Sequence, residues 1–194
     1  VGTKRGLNQF FDRHTIPITT SEGLPSNDTG PIFQDARGTL WVGTIGAGLA
    51  RYEGRLLSVM TTANGLASNT IRALAGRENE LWVGTDRGLN RLRDGVVAET
   101  WTEASGLPSK TVSSLYAAPD GSTWVGTSRG LAVLRDGKTT RVASDAVVSL
   151  AGDGHGRVYA ALSERGVAAF DSVSGRELAG ERLAVHHAVA LYSD

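Results

Sequence analysis

The chain has 194 residues, of which 40% are hydrophobic and 21% are charged, values typical of one folded globular domain. Twenty Lys and Arg residues balance twenty Asp and Glu residues, so its net charge favours neither a nucleic acid nor a strongly charged partner. The lack of cysteine excludes disulfides and thiolate metal sites, and no apolar run reaches the roughly 18–20 residues that cross a bilayer. Because Val1 lies inside a repeated phrase, we expect this sequence to be a segment of a longer protein.

One short phrase recurs along the chain. Val-Gly-Thr follows an aromatic residue at Trp41, Trp82 and Trp124, a looser copy includes Tyr159, and a clipped copy begins at Val1. Successive aromatic residues of this series lie 41, 42 and 35 positions apart. A period near 40 residues made of short β segments is typical of β-propeller blades, which contain about 40–45 residues in four strands.

Each repeat predicts four strands in chain order. The first is an apolar segment, and a polar turn separates it from the second, which is the Trp-Val-Gly-Thr segment rich in β-branched and aromatic residues. The glycine of the second strand (Gly43, Gly84 or Gly126) is expected to permit close approach of a neighbouring segment. A third strand and an Asp-Gly hairpin lead to a more polar fourth strand. Long helical periodicity is absent, so the predicted class is all-β.

Linkers of the form Gly-Leu-Pro-Ser-Asn join the repeats at 22–27, 64–69 and 105–110. Gly and Pro end the preceding strand there, and the leucine is predicted to fill the gap between neighbouring sheets. No such linker lies between Val142 and Ala146, which accounts for the shorter last spacing. We expect that junction to be the least regular.

Together these residues resemble a known family. The succession Gly-Leu-Pro-Ser-Asn, Asp-x-x-Gly-x-Leu-Trp-Val-Gly-Thr and Gly-Leu-x-Arg is similar to the two-component regulator propeller repeat, most closely from Gly23 to Gly137 and more loosely after Ser144. The resemblance implies blades of a β-propeller in the periplasmic or extracellular sensor region of a bacterial signalling receptor, whose output domain lies elsewhere in the protein. Gly76 replaces the turn aspartate of the repeat, so the turn that follows is expected to be looser.

The strand count predicts one five-bladed propeller domain over residues 1–194. Complete four-stranded blades are predicted at about 29–64, 70–105, 111–142 and 146–185. Residues 1–22 supply only second to fourth strands and residues 188–194 only a first strand, so the two ends are expected to pair as one blade. Such closure hides sheet edges that would otherwise template aggregation. The alternative is an arc cut from a seven-bladed ring.

Signatures of catalysis are sparse. The histidines fall in predicted loops or just before the last strand, without zinc-ligand spacing, at His14, His155, His186 and His187. Asp86, Asp145 and Glu164 lie near predicted loops, where carboxylates of a glycosidase would pair, but nothing in the sequence sets their separation. No catalytic residue, metal or cofactor is therefore predicted.

Other recurring residues have a structural interpretation. The turn aspartates, which we expect to accept backbone N–H bonds rather than to bind calcium, are Asp35, Asp120 and Asp153. The tryptophans expected in the core between blades are Trp41, Trp82 and Trp124. Trp101 lies outside the repeat and fits equally a surface contact or packing of a fourth strand.

The loops between second and third strands carry the candidate binding residues. Four of these loops have arginine at the same position, and the fifth has Ala47; the arginines are Arg5, Arg87, Arg129 and Arg165. In propellers such loops gather on one concave face. A ring of guanidinium groups would hold a carboxylate or sulfate, so an anionic small molecule or oligosaccharide is the predicted ligand, with Asp86 and Glu164 beside it. The alternative is that the arginines were copied with the repeat and pair with these carboxylates.

The sequence thus favours a non-catalytic ligand-sensing or interaction propeller, with no nucleic-acid or membrane contact in this segment. A propeller lyase or glycosidase is one alternative, although it would need blade-specific acids and bases, whereas most departures from this repeat are small or apolar residues. A minimal or engineered propeller without a ligand is another.

Deletion of residues 188–194 separates closure from the open arc. If the C-terminal strand closes a five-bladed ring, its loss exposes both sheet edges, and we expect the Tm to fall by roughly 10 °C or more. Thermal unfolding followed by circular dichroism measures this change. An unchanged Tm would contradict closure and support the arc.

Overall fold

A computed structural model describes residues 2–11, 14–53 and 56–179, which form five antiparallel sheets and three short 3-10 turns without an α-helix. Sheet 1 contains β1 (Gly2–Thr3), β2 (Gly6–Phe11) and β3 (His14–Ile18). Sheet 2 contains β4 (Thr29–Gln34), β5 (Leu40–Thr44), β6 (Leu49–Glu53) and β7 (Leu56–Met60). Sheet 3 contains β8 (Ile71–Arg77), β9 (Glu80–Thr85), β10 (Leu89–Arg93) and β11 (Val96–Trp101). Sheet 4 contains β12 (Val112–Ala117), β13 (Thr123–Thr127), β14 (Gly130–Arg135) and β15 (Lys138–Ala143), and sheet 5 contains β16 (Val147–Gly152), β17 (Arg157–Leu162) and β18 (Gly166–Asp171).

Within every sheet the strands pair in chain order, each with the next. The all-β prediction is therefore confirmed, and sheets 2, 3 and 4 have the four strands that each repeat predicts. In sheet 5 the chain after β18 pairs back onto that strand through a bridge between Phe170 and Glu177. The predicted closing strand at 188–194 lies outside the described residues, so closure stays a prediction.

The chain divides into two compact units. The first comprises residues 1–86 and 90–100, and the second comprises residues 87–89 and 101–194. Sheets 1 and 2 and most of sheet 3 belong to the first unit, and sheets 4 and 5 belong to the second.

The glycine of the repeated phrase lies where a neighbouring sheet comes closest. A β-carbon at Gly43 would stand 2.7 Å from Cγ2 of Ile71 in sheet 3, and one at Gly126 would stand 2.6 Å from Cγ1 of Val147 in sheet 5. Both distances are shorter than side chains tolerate, so only a glycine permits this packing. The predicted close approach is confirmed at these two positions.

The linker leucines fill the gaps between sheets, as predicted. Leu24 packs with Leu7 and Ile18 of sheet 1 and with Val42 and Ala50 of sheet 2. Its side chain is 3% exposed, and burial of this kind stabilises a fold by about 1.5–3 kcal/mol per leucine. Leu66 has the same role between sheets 2 and 3, and Leu107 is buried as well.

A 3-10 turn places each linker leucine. Thr19 begins the first such turn; its hydroxyl accepts a bond from the Ser21 N–H, and Glu22 accepts the Thr19 N–H at 2.7 Å. Gly23 ends the turn with φ at 98°, a conformation that glycine adopts without strain. The other two turns begin at Thr61 and Thr102 and end in the same way.

The turn aspartates have the predicted structural role. Oδ1 of Asp35 accepts the N–H groups of Arg37 and Thr39, at 3.0 and 2.9 Å. Asp120 and Asp153 likewise accept backbone N–H groups within their turns. These bonds stabilise the turn that joins the first and second strands.

The turn after Gly76 is tighter than expected, so the expectation of a looser turn is wrong. Strand β8 continues to Arg77, which pairs with Glu80, and only two residues reverse the chain. Glu78 supplies the left-handed backbone that such a short turn needs, with φ at 53°. Because no aspartate is present to accept the N–H groups of a longer turn, both strands stay paired up to Arg77 and Glu80.

The repeated tryptophans are buried, as predicted, with Trp41, Trp82 and Trp124 each exposed by 6% or less. Trp101 is 5% exposed, which favours packing of its strand over a surface contact. The guanidinium of Arg51 lies 5.5 Å from the ring centroid of Trp41, and that of Arg91 lies 5.4 Å from the ring centroid of Trp82. These contacts add cation–π attraction to the sheet surface.

The substitution Gly43→Ala tests the packing constraint. The added methyl group would press on Ile71, and we expect it to lower the free energy of unfolding by about 1–3 kcal/mol. Urea denaturation measures the loss. In an Ile71→Ala background the same substitution should cost less, because the obstructing side chain is gone. Equal losses in both backgrounds would contradict the contact.

The carboxylate of Asp120 makes the stability of sheet 4 depend on pH. Burial opposes its ionisation, but hydrogen bonds from Ser122 and the charge of Arg135 prevail and lower its pKa below the usual 3.8. A lowered folded-state pKa stabilises the fold above the unfolded pKa, and this contribution is lost as the pH falls through the folded pKa.

We therefore expect Asp120→Asn to destabilise the protein most above about pH 5, with a difference that shrinks below about pH 4. Urea denaturation of both proteins between pH 3 and 7 measures the trend. A difference that stays constant across this range would show that the charge of Asp120 has no role.

Candidate functional site

The candidate binding residues lie in the turns between second and third strands, and the threonine of the repeated phrase shapes three of these turns. Its hydroxyl donates to the carbonyl of the glycine that begins or precedes the third strand. The distance is 2.9 Å from Thr3 to Gly6, 2.7 Å from Thr44 to Gly48 and 2.7 Å from Thr127 to Gly130; these bonds recur in sheets 1, 2 and 4. Each turn is therefore fixed by a side chain that belongs to the core strand.

The same hydroxyl orients the backbone of two of the candidate arginines. Oγ1 of Thr3 accepts the backbone N–H of Arg5 at 3.1 Å, and Oγ1 of Thr127 accepts that of Arg129 at 3.3 Å. The backbone of each arginine is thus held while its side chain extends outward. Arg5, Arg87 and Arg129 are exposed.

Arg165 is paired with two carboxylates. Its guanidinium donates to Asp145 at 2.6 Å and to Glu177 at 3.3 Å, and hydrogen bonding to Asp145 raises its pKa. It pairs with carboxylates as the alternative interpretation of the loops expects, but with these two rather than with the neighbouring Glu164, which is exposed. A ligand anion would have to compete with both.

Arg129 has only a weak acidic neighbour by comparison. Its Nη2 lies 3.9 Å from Oε1 of Glu103, and its side chain is 74% exposed. Surface pairs of this kind contribute at most about 1 kcal/mol, so a ligand carboxylate or sulfate can displace Glu103 readily.

The turn of sheet 2 has no arginine and is partly apolar. Ile45 is 43% exposed there, and Ala47 is half-buried. The N–H of Ile45 donates to the Asp28 carbonyl at 3.0 Å and that of Gly48 to the Asn69 carbonyl at 2.8 Å. This turn is anchored at both ends and presents a small apolar surface.

The carboxylates weighed as catalytic groups have different surroundings. Asp145 is bound to Arg165, Asp86 is half-buried, and Glu164 is exposed. Of the histidines, His155 is exposed in the turn before β17, whereas His186 and His187 lie outside the described residues. Within the described part of the chain, no three His, Asp or Glu side chains come together as metal ligands.

Residues 126–130 match the Gly-x-Ser-x-Gly pattern of a hydrolase nucleophile, and the structure gives them another role. They join two antiparallel strands, whereas a nucleophile elbow joins a strand to a helix. Oγ of Ser128 hydrogen-bonds Oγ of Ser109 at 2.9 Å, which ties the turn to the preceding linker.

Two basic residues that the repeat pattern does not predict, Arg141 and Lys110, belong to segments bonded to the turn of Arg129. Nη2 of Arg141 donates to the Arg129 carbonyl at 2.7 Å, and Lys110 follows Ser109 in the linker bonded to the same turn. The signal in the sequence was a departure from the repeat: Lys110 stands where the other two linkers have Asn27 and Asn69.

Residues 23–46 and 106–129 match the family described as "Two component regulator propeller". Among solved structures, the chain is similar to the extracellular domain of a protein described as a hybrid two component system, BT3049 of B. thetaiotaomicron (22% identity, TM-score 0.76, 91% of this chain and 27% of that chain). The extracellular domain of BT4673 from the same organism is similar at 12% identity and a TM-score of 0.60, over 98% of this chain and 36% of that chain. Virginiamycin B lyase from Staphylococcus aureus is similar at 13% identity and a TM-score of 0.63, over 85% of this chain and 58% of that chain.

No curated protein is significantly similar in sequence to this chain. The chain spans about a third or less of the two extracellular domains, 36% and 27% of their lengths. No helix among the described residues has the length and apolarity needed to span a membrane. At these identities the solved structures establish the fold alone, and the fold is that of a β-propeller whose blades are the antiparallel sheets.

The sequence match and the fold agree, since both matched segments run from a linker glycine through the Trp-Val-Gly-Thr strand into the following turn. This chain is a β-propeller in which residues 23–46 and 106–129 match the two component regulator propeller family.

Proposed function

We propose that this chain is part of the extracytoplasmic sensor region of a bacterial two-component or related receptor, where it binds a ligand without catalysing a reaction. Its repeats are those named for two-component regulators, and its fold is similar to extracellular domains of such systems. Because the chain spans only part of those domains, the output domain and the rest of the sensor belong to other parts of the receptor.

The observation that carries this proposal is the way the turns present exposed arginines. A core threonine fixes the backbone of Arg5 and of Arg129, so neither turn has to become ordered when a ligand binds. Preorganised donors lose less conformational entropy on binding than donors on mobile loops do. The turns therefore suit recognition more than they serve packing.

The chemistry of the turns indicates an anionic ligand. Guanidinium groups donate paired hydrogen bonds to carboxylate, sulfate or phosphate, and the exposed position of Arg87 and Arg129 leaves them accessible to solvent. An anionic small molecule or acidic oligosaccharide carries such acceptor groups.

The proposal predicts that Arg87→Ala and Arg129→Ala each weaken binding of an anionic ligand by about three- to tenfold at low salt, without loss of folding. Calorimetric titration with a panel of acidic oligosaccharides and small dicarboxylates measures the affinity. Binding should also weaken as salt is raised towards 0.15 M, where the screening length is about 8 Å.

Arg176→Ala is the matched control, because Arg176 is exposed but lies after β18, outside the turns that carry the candidate residues. It should leave the affinity unchanged. Absence of binding at low salt across the panel, or equal affinity of the wild-type protein and the double variant of Arg87 and Arg129, would overturn the proposal.

A further inference from the structure

We propose that Lys110, Arg129 and Arg141 of sheet 4 and its linker form a binding site for an oxyanion group such as sulfate, phosphate or carboxylate. This inference deepens the proposed function, and it rests on that function only in assigning the anion to the sensor's ligand. It replaces a general preference for anions with one location and three donors. All three residues lie in the second compact unit.

Arg141 is held in a fixed orientation. Its Nη2 donates to the Arg129 carbonyl at 2.7 Å and its Nε donates to the Ala143 carbonyl at 3.4 Å. A guanidinium has five N–H groups, so three are not used by these two bonds and are available to an anion. A β-carbon on Gly130 would lie 3.1 Å from Arg141 Nε and 2.7 Å from the Ala143 carbonyl oxygen, so the glycine lets the turn pass beneath the guanidinium.

Lys110 is held next to the same turn by its neighbours. Ser109 bonds the Ser128 hydroxyl at 2.9 Å, and the Ser128 N–H donates to the Thr111 carbonyl at 3.2 Å. Ser128 directly precedes Arg129. The linker and the turn are therefore joined on both sides of Lys110, which places its backbone close to that of Arg129.

The repeat shows that Lys110 is not a packing residue. In the first linker Oδ1 of Asn27 accepts the Thr20 N–H at 2.9 Å, and in the second Oδ1 of Asn69 accepts the Thr62 N–H at 2.8 Å. An ammonium group has no acceptor, so Lys110 gives up this structural hydrogen bond. A substitution that removes a stabilising bond and adds a charge indicates a role in binding.

Arg141 also differs from the equivalent residue of another sheet. The register pairs Ala132 with Arg141 in sheet 4, and the equivalent Ala50 of sheet 2 pairs with Val59. Sheet 2 thus has an apolar residue where sheet 4 has a guanidinium. Two independent departures, 31 positions apart in sequence, place cations beside Arg129.

The charge of Arg129 is only weakly neutralised. Oε1 of Glu103 lies 3.9 Å from its Nη2, beyond hydrogen-bond reach. Lys110 and Arg141 are both exposed, so all three cations are open to solvent. A bound oxyanion would lower the repulsion among them and receive charge-assisted hydrogen bonds from two or three donors.

Titration of the wild-type protein with sodium sulfate, against sodium chloride of equal ionic strength, tests the site. We expect saturable shifts of the backbone amide NMR signals of Lys110, Arg129 and Arg141 with sulfate and not with chloride. Lys110→Asn introduces the residue of the other two linkers and Arg141→Val the residue of sheet 2, and each should weaken sulfate binding by about fivefold. Lys110→Asn should also keep or raise the Tm, because asparagine restores the linker hydrogen bond.

Lys138→Asn is the matched control, since it makes the same charge change at the opposite end of β15 and should leave sulfate affinity unchanged. Amide shifts that do not exceed those with chloride, or equal affinities of Lys110→Asn, Arg141→Val and wild type, would overturn the site. Sulfate binding that depends on Lys110 and Arg141 supports the site even if the panel of oligosaccharides and dicarboxylates fails to bind, a result that removes only the broader proposal. Binding of that panel with no sulfate response leaves the broader proposal and overturns this site.

Discussion

The structure depends on the close approach of two sheets at the glycine of the repeated phrase. At Gly43 and at Gly126 the backbone of one sheet meets a β-branched side chain of the next, Ile71 or Val147, with no room for a methyl group. Interiors reach their density through contacts of this kind, and a side chain at either glycine would force the sheets apart. The same requirement in sheets 2 and 4 accounts for the glycine that the repeated phrase has at both positions, whereas the looser last copy has Ala161 there.

The residues on either side of that glycine connect the packing to the exposed turns. The preceding valine is buried, and the following threonine reaches from the buried strand to fix the turn through the glycine carbonyl. The residues that directly follow the threonine, such as Ile45 and Ser128, are exposed to solvent. They differ between repeats, as Ile45 and Ser128 show, so the chemistry of the exposed turn varies while the bond from the threonine is kept.

The buried tryptophans show how a copied residue can acquire different partners. Trp41 is covered by the guanidinium of Arg51, and its Nε1 donates to a turn aspartate. Trp124 packs instead on Phe170, with ring centroids 5.7 Å apart, and its Nε1 has no hydrogen-bond partner within the described part of the chain. The residue opposite on the third strand decides between these arrangements, because Val133 stands in sheet 4 where sheet 2 has the arginine.

The sequence by itself determined the strands, their antiparallel order, the linker leucines and the close approach at the glycines, because alternation, turn chemistry and a period near 40 residues are local properties of the chain. It also located the arginine turns. Only the tertiary structure decided which charges meet: Arg165 pairs with Asp145 and Glu177 rather than with its neighbour Glu164. Ion pairs and clusters of donors depend on strand register and on the path of each turn, because these bring together residues that are far apart in sequence. A pattern of residue types does not contain the distances between such side chains.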